Sequence, residues 1–131
     1  MRESIDAADA ISLDDRLCVA LYTASRAMTA RYRPLLAELG LTYPQYLVMV
    51  LLWEEGASSV GQVGVRLSLE SSTLSPLLKR LETMGLVTRA RDVHDERSVM
   101  IGLTNEGNAL ERRAVGVTAE ICAATGLTLR E

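Results

Sequence analysis

Cys18 is one of only two cysteines among 131 residues, and Tyr22 follows it four positions later. On a helix that spacing puts thiol and phenol on one face, within reach of each other. A phenol O–H bonded to sulfur favours thiolate over thiol, because the bond is made to the charged form. A lone thiol near the start of an amphipathic helix, with phenol hydroxyls spaced along it, is therefore a candidate reactive centre. Tyr32 lies fourteen residues after Cys18, about 21 Å along a straight helix at ~1.5 Å per residue. If Tyr32 reaches the thiol, it must come from an antiparallel partner chain, so the pocket itself implies a dimer. Arg16 is two residues from Cys18 and need not face it, and the helix dipole fades after the first turn. The same spacing also fits an inert cysteine in a dimer core. The tyrosines then become interface packing with their hydroxyls at the rim. Cys122, beside Ile121, Ala123 and Ala124, also reads as one more small apolar residue on a helix.

A second set of residues, from Ser59 to Leu103, has the chemistry of a DNA-binding unit. Helix, tight turn, helix and a β-hairpin with a charged tip is the order of a winged helix-turn-helix. The second helix opens with Ser71, Ser72, Thr73 and Ser75, small hydroxyls able to reach phosphates and base edges. Lys79 and Arg80 follow on its outward side. Arg89 and Arg91 flank the hairpin and Arg97 stands at its tip, placed for a narrow minor groove. Asp95, two residues before Arg97, is expected to orient the guanidinium through a charge-assisted hydrogen bond. Between Arg66 and Arg97 six basic residues face five acidic ones, so charge alone fits plain helix packing as well. His94, the only histidine, reads as a solvated turn residue. One histidine and two widely separated cysteines do not make a metal site, and no cofactor is called for.

These groups need a helical frame. Ser12 can cap a helix with Leu13, Leu17, Ala20, Leu21, Ala24, Met28 and Tyr32 as its apolar stripe. Pro34 is expected to interrupt it and open a short helix to Leu39, ended by Gly40. Thr42 and Gln45 have capping-box spacing for a helix from Tyr43 to Glu55. Its apolar run from Tyr46 to Trp53 makes it central. Ser59 and Gln62 repeat that spacing for a helix from Val60 to Leu67. Ser71 or Ser72 caps the next helix, which carries Leu74, Leu77, Leu78 and Leu81 inward and tolerates Pro76 near its start. Gly85 closes it. Strands at Leu86–Arg89 and Ser98–Leu103 come next, then a helix capped by Thr104 with Leu110, Ala114, Val117 and Ile121 as its seam.

The chain's length fits one domain, residues 1–131. In it, 1–40 and 105–131 are expected to supply dimerisation helices and 41–104 the winged helix-turn-helix. Hydrophobic residues make up 48%, with no Phe, so a core of Leu, Val, Ile and Met is attainable. The net charge of −3 gives no global basic signal, so DNA contact must come from a local patch. The acidic, polar first 16 residues do not look like a signal peptide. The longest apolar run is too short to span a bilayer. A cytoplasmic protein is expected, where two cysteines rest as thiols and a disulfide between them is transient.

Several runs resemble a known family. Leu17-Cys18-Val19-Ala20-Leu21-Tyr22, Met28-Thr29, Tyr32-Arg33-Pro34-Leu35-Leu36 and Leu41-Thr42-Tyr43-Pro44-Gln45-Tyr46 are similar to the organic-hydroperoxide-sensing repressors. These are a branch of the MarR-type winged-helix regulators. Ser72-Thr73-Leu74-Ser75-Pro76-Leu77-Leu78-Lys79-Arg80 and Asp95-Glu96-Arg97-Ser98-Val99 resemble that group's recognition helix and wing. The likeness covers nearly the whole chain after Leu13. The wing run is shared by many MarR relatives, and the cysteine with three tyrosines is the narrower signal. The resemblance implies a mainly α fold with a small β-hairpin wing, assembled as a MarR-like dimer. It implies Cys18 as the peroxidatic cysteine, and Tyr22, Tyr32 and Tyr43 as residues bonding the thiolate or lining its pocket. It implies Asp95 and Arg97 as the wing pair at the minor groove, and Cys122 as a resolving cysteine. The likeness departs at the C-terminus, where family members usually continue into a long final helix and this sequence stops at Glu131.

Residues and resemblance together imply a redox-sensing repressor and not an enzyme. The reduced homodimer holds double-stranded operator DNA with recognition helices about 34–36 Å apart. An organic hydroperoxide oxidises Cys18 to sulfenic acid, and Cys122 of the partner chain closes an intersubunit disulfide that releases DNA. Two rivals stand beside it. One is a MarR-type repressor answering a phenolic or drug-like ligand, with Cys18 as packing. The other is a thiol peroxidase, against which stands the lack of a Cys-x-x-Cys motif.

Overall fold

A computed structural model of the chain describes residues 12–13 and 16–126. The outer ends of the two segments expected to dimerise, 1–11 and 127–131, lie outside the described residues. The order is α1 (Leu17–Ala37), α2 (Tyr43–Glu55), β1 (Ser58–Ser59), α3 (Val60–Leu67), α4 (Ser71–Thr83), β2 (Val87–Arg91), β3 (Val99–Leu103) and α5 (Asn105–Thr125). This is the expected mainly α winged helix-turn-helix with a small antiparallel sheet. Among the described residues no helix is long and apolar enough to cross a membrane.

Local capping sets most boundaries. Thr42 and Gln45 form a complete capping box at α2, and Ser59 and Gln62 form another at α3. Thr104 Oγ1 accepts from Gly107 N–H at the start of α5 and donates to Gly85 C=O at 2.6 Å. Three helices close by one device, in which an N–H bonds a carbonyl five residues back across a left-handed residue. The pairs are Leu41 to Leu36 over Gly40, Leu69 to Gly64 over Ser68, and Leu86 to Leu81 over Gly85.

Three sequence expectations change. Ser12 does not cap α1: the helix begins at Leu17 after an extended Arg16, which makes no side-chain cap. Pro34 does not interrupt α1, which runs on to Ala37. The proline removes one backbone bond, but the turn beyond it buries Leu36 and half-buries Leu35 against the core, and that packing holds the helix. Neither Ser71 nor Ser72 caps α4. Glu70 occupies the cap position, and its carbonyl accepts from Thr73 and Leu74 N–H.

The core gathers Val48, Met49, Leu51 and Leu52 of α2, Val63 of α3, Leu74, Leu78 and Leu81 of α4, and Ile101 of β3. The seam Leu110, Ala114, Val117 and Ile121 of α5 lies against it. The sheet order is β1-β3-β2, antiparallel throughout. Strand β1 is additional to the hairpin, pairing Ser58 with Ile101 and Ser59 with Met100. It joins the helix-turn-helix to the wing. Gly107, in the first turn of α5, is buried under the strand entry. A Cβ there overlaps the Leu86 carbonyl oxygen and meets Leu103 Cδ2 at 3.1 Å.

Candidate redox site and nucleic-acid interface

Along α1 the apolar stripe is bare in the single chain. Leu17 is 73% exposed, Leu21 62% and Tyr22 63%, and Cys18 is exposed beside them. Arg26 lies over the Tyr22 ring, its Cζ 5.7 Å from the centroid. Cys18, Tyr22 and Arg26 thus follow one another at four-residue steps along one face of the helix. Both cysteines are free thiols.

The far end of α1 is different. Tyr32 packs on Tyr43 with centroids 4.8 Å apart and on Tyr46 at 5.6 Å. Tyr46 meets Trp53 edge-on at 6.5 Å, and its hydroxyl bonds Thr118 Oγ1 at 3.3 Å. Trp53 Nε1–H donates to Gly107 C=O at 2.9 Å. Burial pushes the Tyr32 phenol up to about 12, with Tyr46, Tyr43 and the half-buried Cys122 adding in that order. Tyr32 and Tyr43 are therefore in ring contact within one protomer, and Cys122 of the same chain is near enough to act on the Tyr32 phenol electrostatically. Cys18 is not with them, being about 21 Å away along α1 by helical rise. Tyr46 is absent from the sequence-derived set. Its only signal is its place three residues after Tyr43 on the core face of α2.

The Tyr32 shift has a measurable consequence. In the unfolded chain the phenol ionises near 10, and in the folded chain near 12. The unfolded state therefore loses this proton first, and stability falls as pH rises between those values. Urea unfolding from pH 9 to 12 should show that decline, and Tyr32→Phe should flatten it.

Ser71, Ser72, Thr73 and Ser75 are exposed on the first turns of α4, and Lys79 and Arg80 are exposed beyond them. Because Glu70 holds the cap position, the serine hydroxyls are not engaged in capping. Ser75 shares a cleft of about 420 Å³ with Ser59, Arg89, Asp95, Arg97 and Ser98, so recognition helix and wing border one surface. Asp95 departs from expectation. Its Oδ1 accepts the Arg97 backbone N–H at 3.0 Å, fixing the turn rather than the guanidinium. Among the described residues no group of His, Cys, Asp and Glu can hold a metal ion.

The transcriptional regulator SarA/Rot family model matches residues 30–113. The organic hydroperoxide resistance transcriptional regulator of Bacillus subtilis is 49% identical over 86% of this chain and 77% of its own length. The HTH-type transcriptional regulator TtmR of Methylorubrum extorquens is 51% identical over 94% of this chain, which spans only 63% of that protein. Structures of AbfR of Staphylococcus epidermidis cover 86–87% of the chain at 36–37% identity. The TM-score is 0.80 for overoxidised AbfR on DNA, 0.79 for reduced AbfR on DNA and 0.71 for the disulfide form. Winged architecture, exposed recognition helix and these likenesses agree: the chain belongs to the MarR-type winged-helix transcriptional regulators, DNA-binding proteins rather than enzymes, in the branch of the organic hydroperoxide resistance regulators.

Proposed function

We propose that the chain is a redox-responsive repressor, active in the cytoplasm as a homodimer, which holds operator DNA when reduced and lets go when an organic hydroperoxide oxidises Cys18. One observation carries this reading. Cys18 and Tyr32 occupy opposite ends of α1, and Tyr32 is already grouped with Tyr43 and Cys122 of its own chain. Antiparallel pairing of two α1 helices brings each Cys18 opposite the partner's tyrosine pair and resolving thiol. The bare Leu17, Leu21 and Tyr22 stripe supplies the apolar surface for that pairing. Residues 1–40 and 105–131 then form the dimer, and 41–104 the DNA-binding lobe.

The chemistry balances in two steps. The Cys18 thiolate attacks the hydroperoxide, the O–O bond breaks, and with one proton the products are Cys18 sulfenic acid and an alcohol. The partner's Cys122 thiol then displaces water from that sulfur and forms the disulfide. Closure needs Cα atoms within roughly 7 Å, so the helices that carry the lobes must shift. Ser71, Ser72, Thr73, Ser75, Lys79 and Arg80 are assigned to the major groove. Arg89, Asp95 and Arg97 are assigned to the wing contact. Tyr22, Tyr32 and Tyr43 bond or shelter the thiolate.

Cumene hydroperoxide should convert the protein to a disulfide-linked dimer on non-reducing gels. Cys122→Ser should stay monomeric on the gel and keep DNA longer. Release of DNA by that variant without added small thiols refutes the resolving role. A cleft of about 340 Å³ beside Tyr43, lined by Arg33, Leu36 and Leu41, favours a second reading, a regulator answering a small phenolic or drug-like ligand. Operator binding indifferent to peroxide decides for it.

A further inference from the structure

The wing tip presents an apolar side chain that folding does not explain. Val93 is 92% exposed, the highest value among the large exposed hydrophobics of the described residues. A β-branched residue gains nothing there, because turn positions favour Gly, Asn, Asp or Ser. Its surroundings hold it outward. Asp92 Oδ1 accepts from His94 N–H at 3.0 Å, and Asp95 Oδ1 accepts from Arg97 N–H at the same distance. Asp92 N–H bonds Ser98 C=O at 2.8 Å, Ser98 N–H bonds Asp95 C=O at 2.9 Å, and Arg91 Nη1 reaches Glu96 C=O. Two carboxylates of an acid-rich tip are thereby turned back onto backbone donors. Val93 is thereby left as an exposed aliphatic knob between Arg91 and Arg97, with His94 and Glu96 exposed beside it.

We infer that Val93 is a minor-groove wedge that makes the protein sensitive to the base pairs flanking its major-groove half-sites. This rests on the assignment of the wing to DNA. An A·T pair shows only acceptors on the minor-groove floor, whereas G·C raises the guanine 2-amino group into it. An aliphatic knob seats against the narrow A·T groove and is held off by that amino group. Arg97 supplies attraction to the groove, and Val93 supplies discrimination by fit.

The probe is the tightest duplex that the full-length reduced protein recovers from a random pool. Wing-facing steps are then rebuilt as A·T, G·C or inosine·cytosine, which lacks the 2-amino group. The wild type should bind the A·T and inosine·cytosine duplexes alike and the G·C duplex roughly tenfold more weakly. Val93→Ser should bring the three within about twofold. An unchanged preference in Val93→Ser overturns the inference, as does an inosine·cytosine duplex that binds like G·C. Arg97→Ala separates the failures. If it weakens all duplexes while Val93→Ser changes nothing, only the wedge falls. If neither variant matters, the wing assignment falls as well.

Discussion

Cys18→Ser is expected to hold operator DNA at any concentration of organic hydroperoxide, while the wild type loses at least a hundredfold in affinity. The serine hydroxyl is nearly the size of the thiol, but it is not ionised at neutral pH and cannot pass through sulfenic acid. Folding of the protomer should be unaffected, because Cys18 is exposed in it and supports none of its core packing. Operator titrations by anisotropy, with and without cumene hydroperoxide, check the result. A hundredfold shift is about 2.7 kcal/mol of coupling between oxidation and binding, the scale of one rearranged interface. Release of Cys18→Ser by peroxide moves the sensing chemistry elsewhere and removes the proposed function. A second measurement makes the result specific: intact mass should rise by one oxygen or fall by two hydrogens per disulfide in the wild type, and stay constant in the variant.

The other large effect lies at the base of the wing. Gly107→Ala should destabilise the protein by about 3 kcal/mol and lower Tm by roughly 10 °C. The added methyl has no room, since it overlaps the Leu86 carbonyl oxygen and presses on Leu103. Relief requires moving α5 away from the strand entry. That strains the Thr104–Gly85 and Trp53–Gly107 hydrogen bonds in the same step. Gly116→Ala, on the same helix with nothing within 4 Å, provides the contrast. There alanine gains helix propensity, and stability should rise by up to about 1 kcal/mol. Thermal melts of the two variants should therefore move in opposite directions, and equal shifts would remove the steric account.

The capping boxes at Thr42 and Ser59 are legible in the sequence because they are local, with donor and acceptor three residues apart. The central helix is legible because eight consecutive apolar residues leave no polar face. Pro34 misleads because a local rule meets a tertiary one: burial of Leu36 outweighs a single lost backbone bond. Two residues cannot display an alternating pattern, so β1 has no signal of its own. The Asp95 carboxylate points, by sequence, to the nearest cation, yet a backbone N–H two residues on is closer and already oriented. At the candidate site the spacing of Cys18 and Tyr32 shows that one protomer cannot join them. It does not show that Tyr46 completes the aromatic group, since that depends on how α1 crosses α2. Glu70 takes the cap position expected of Ser71 or Ser72, a shift that leaves the chemistry of the two serines intact.

The smallest strand has the widest mechanical consequence. Ser59 caps α3 and also pairs with Met100 of the wing, so the first helix of the helix-turn-helix and the hairpin are geared together. Under the proposed pairing of α1 and α5 between protomers, torque from those helices is expected to turn each lobe as one lever. Duplex DNA repeats its grooves with a fixed pitch, so such a lever goes out of phase at every contact at once. Release by the proposed route is then expected to behave as a switch with a threshold rather than a gradual loosening.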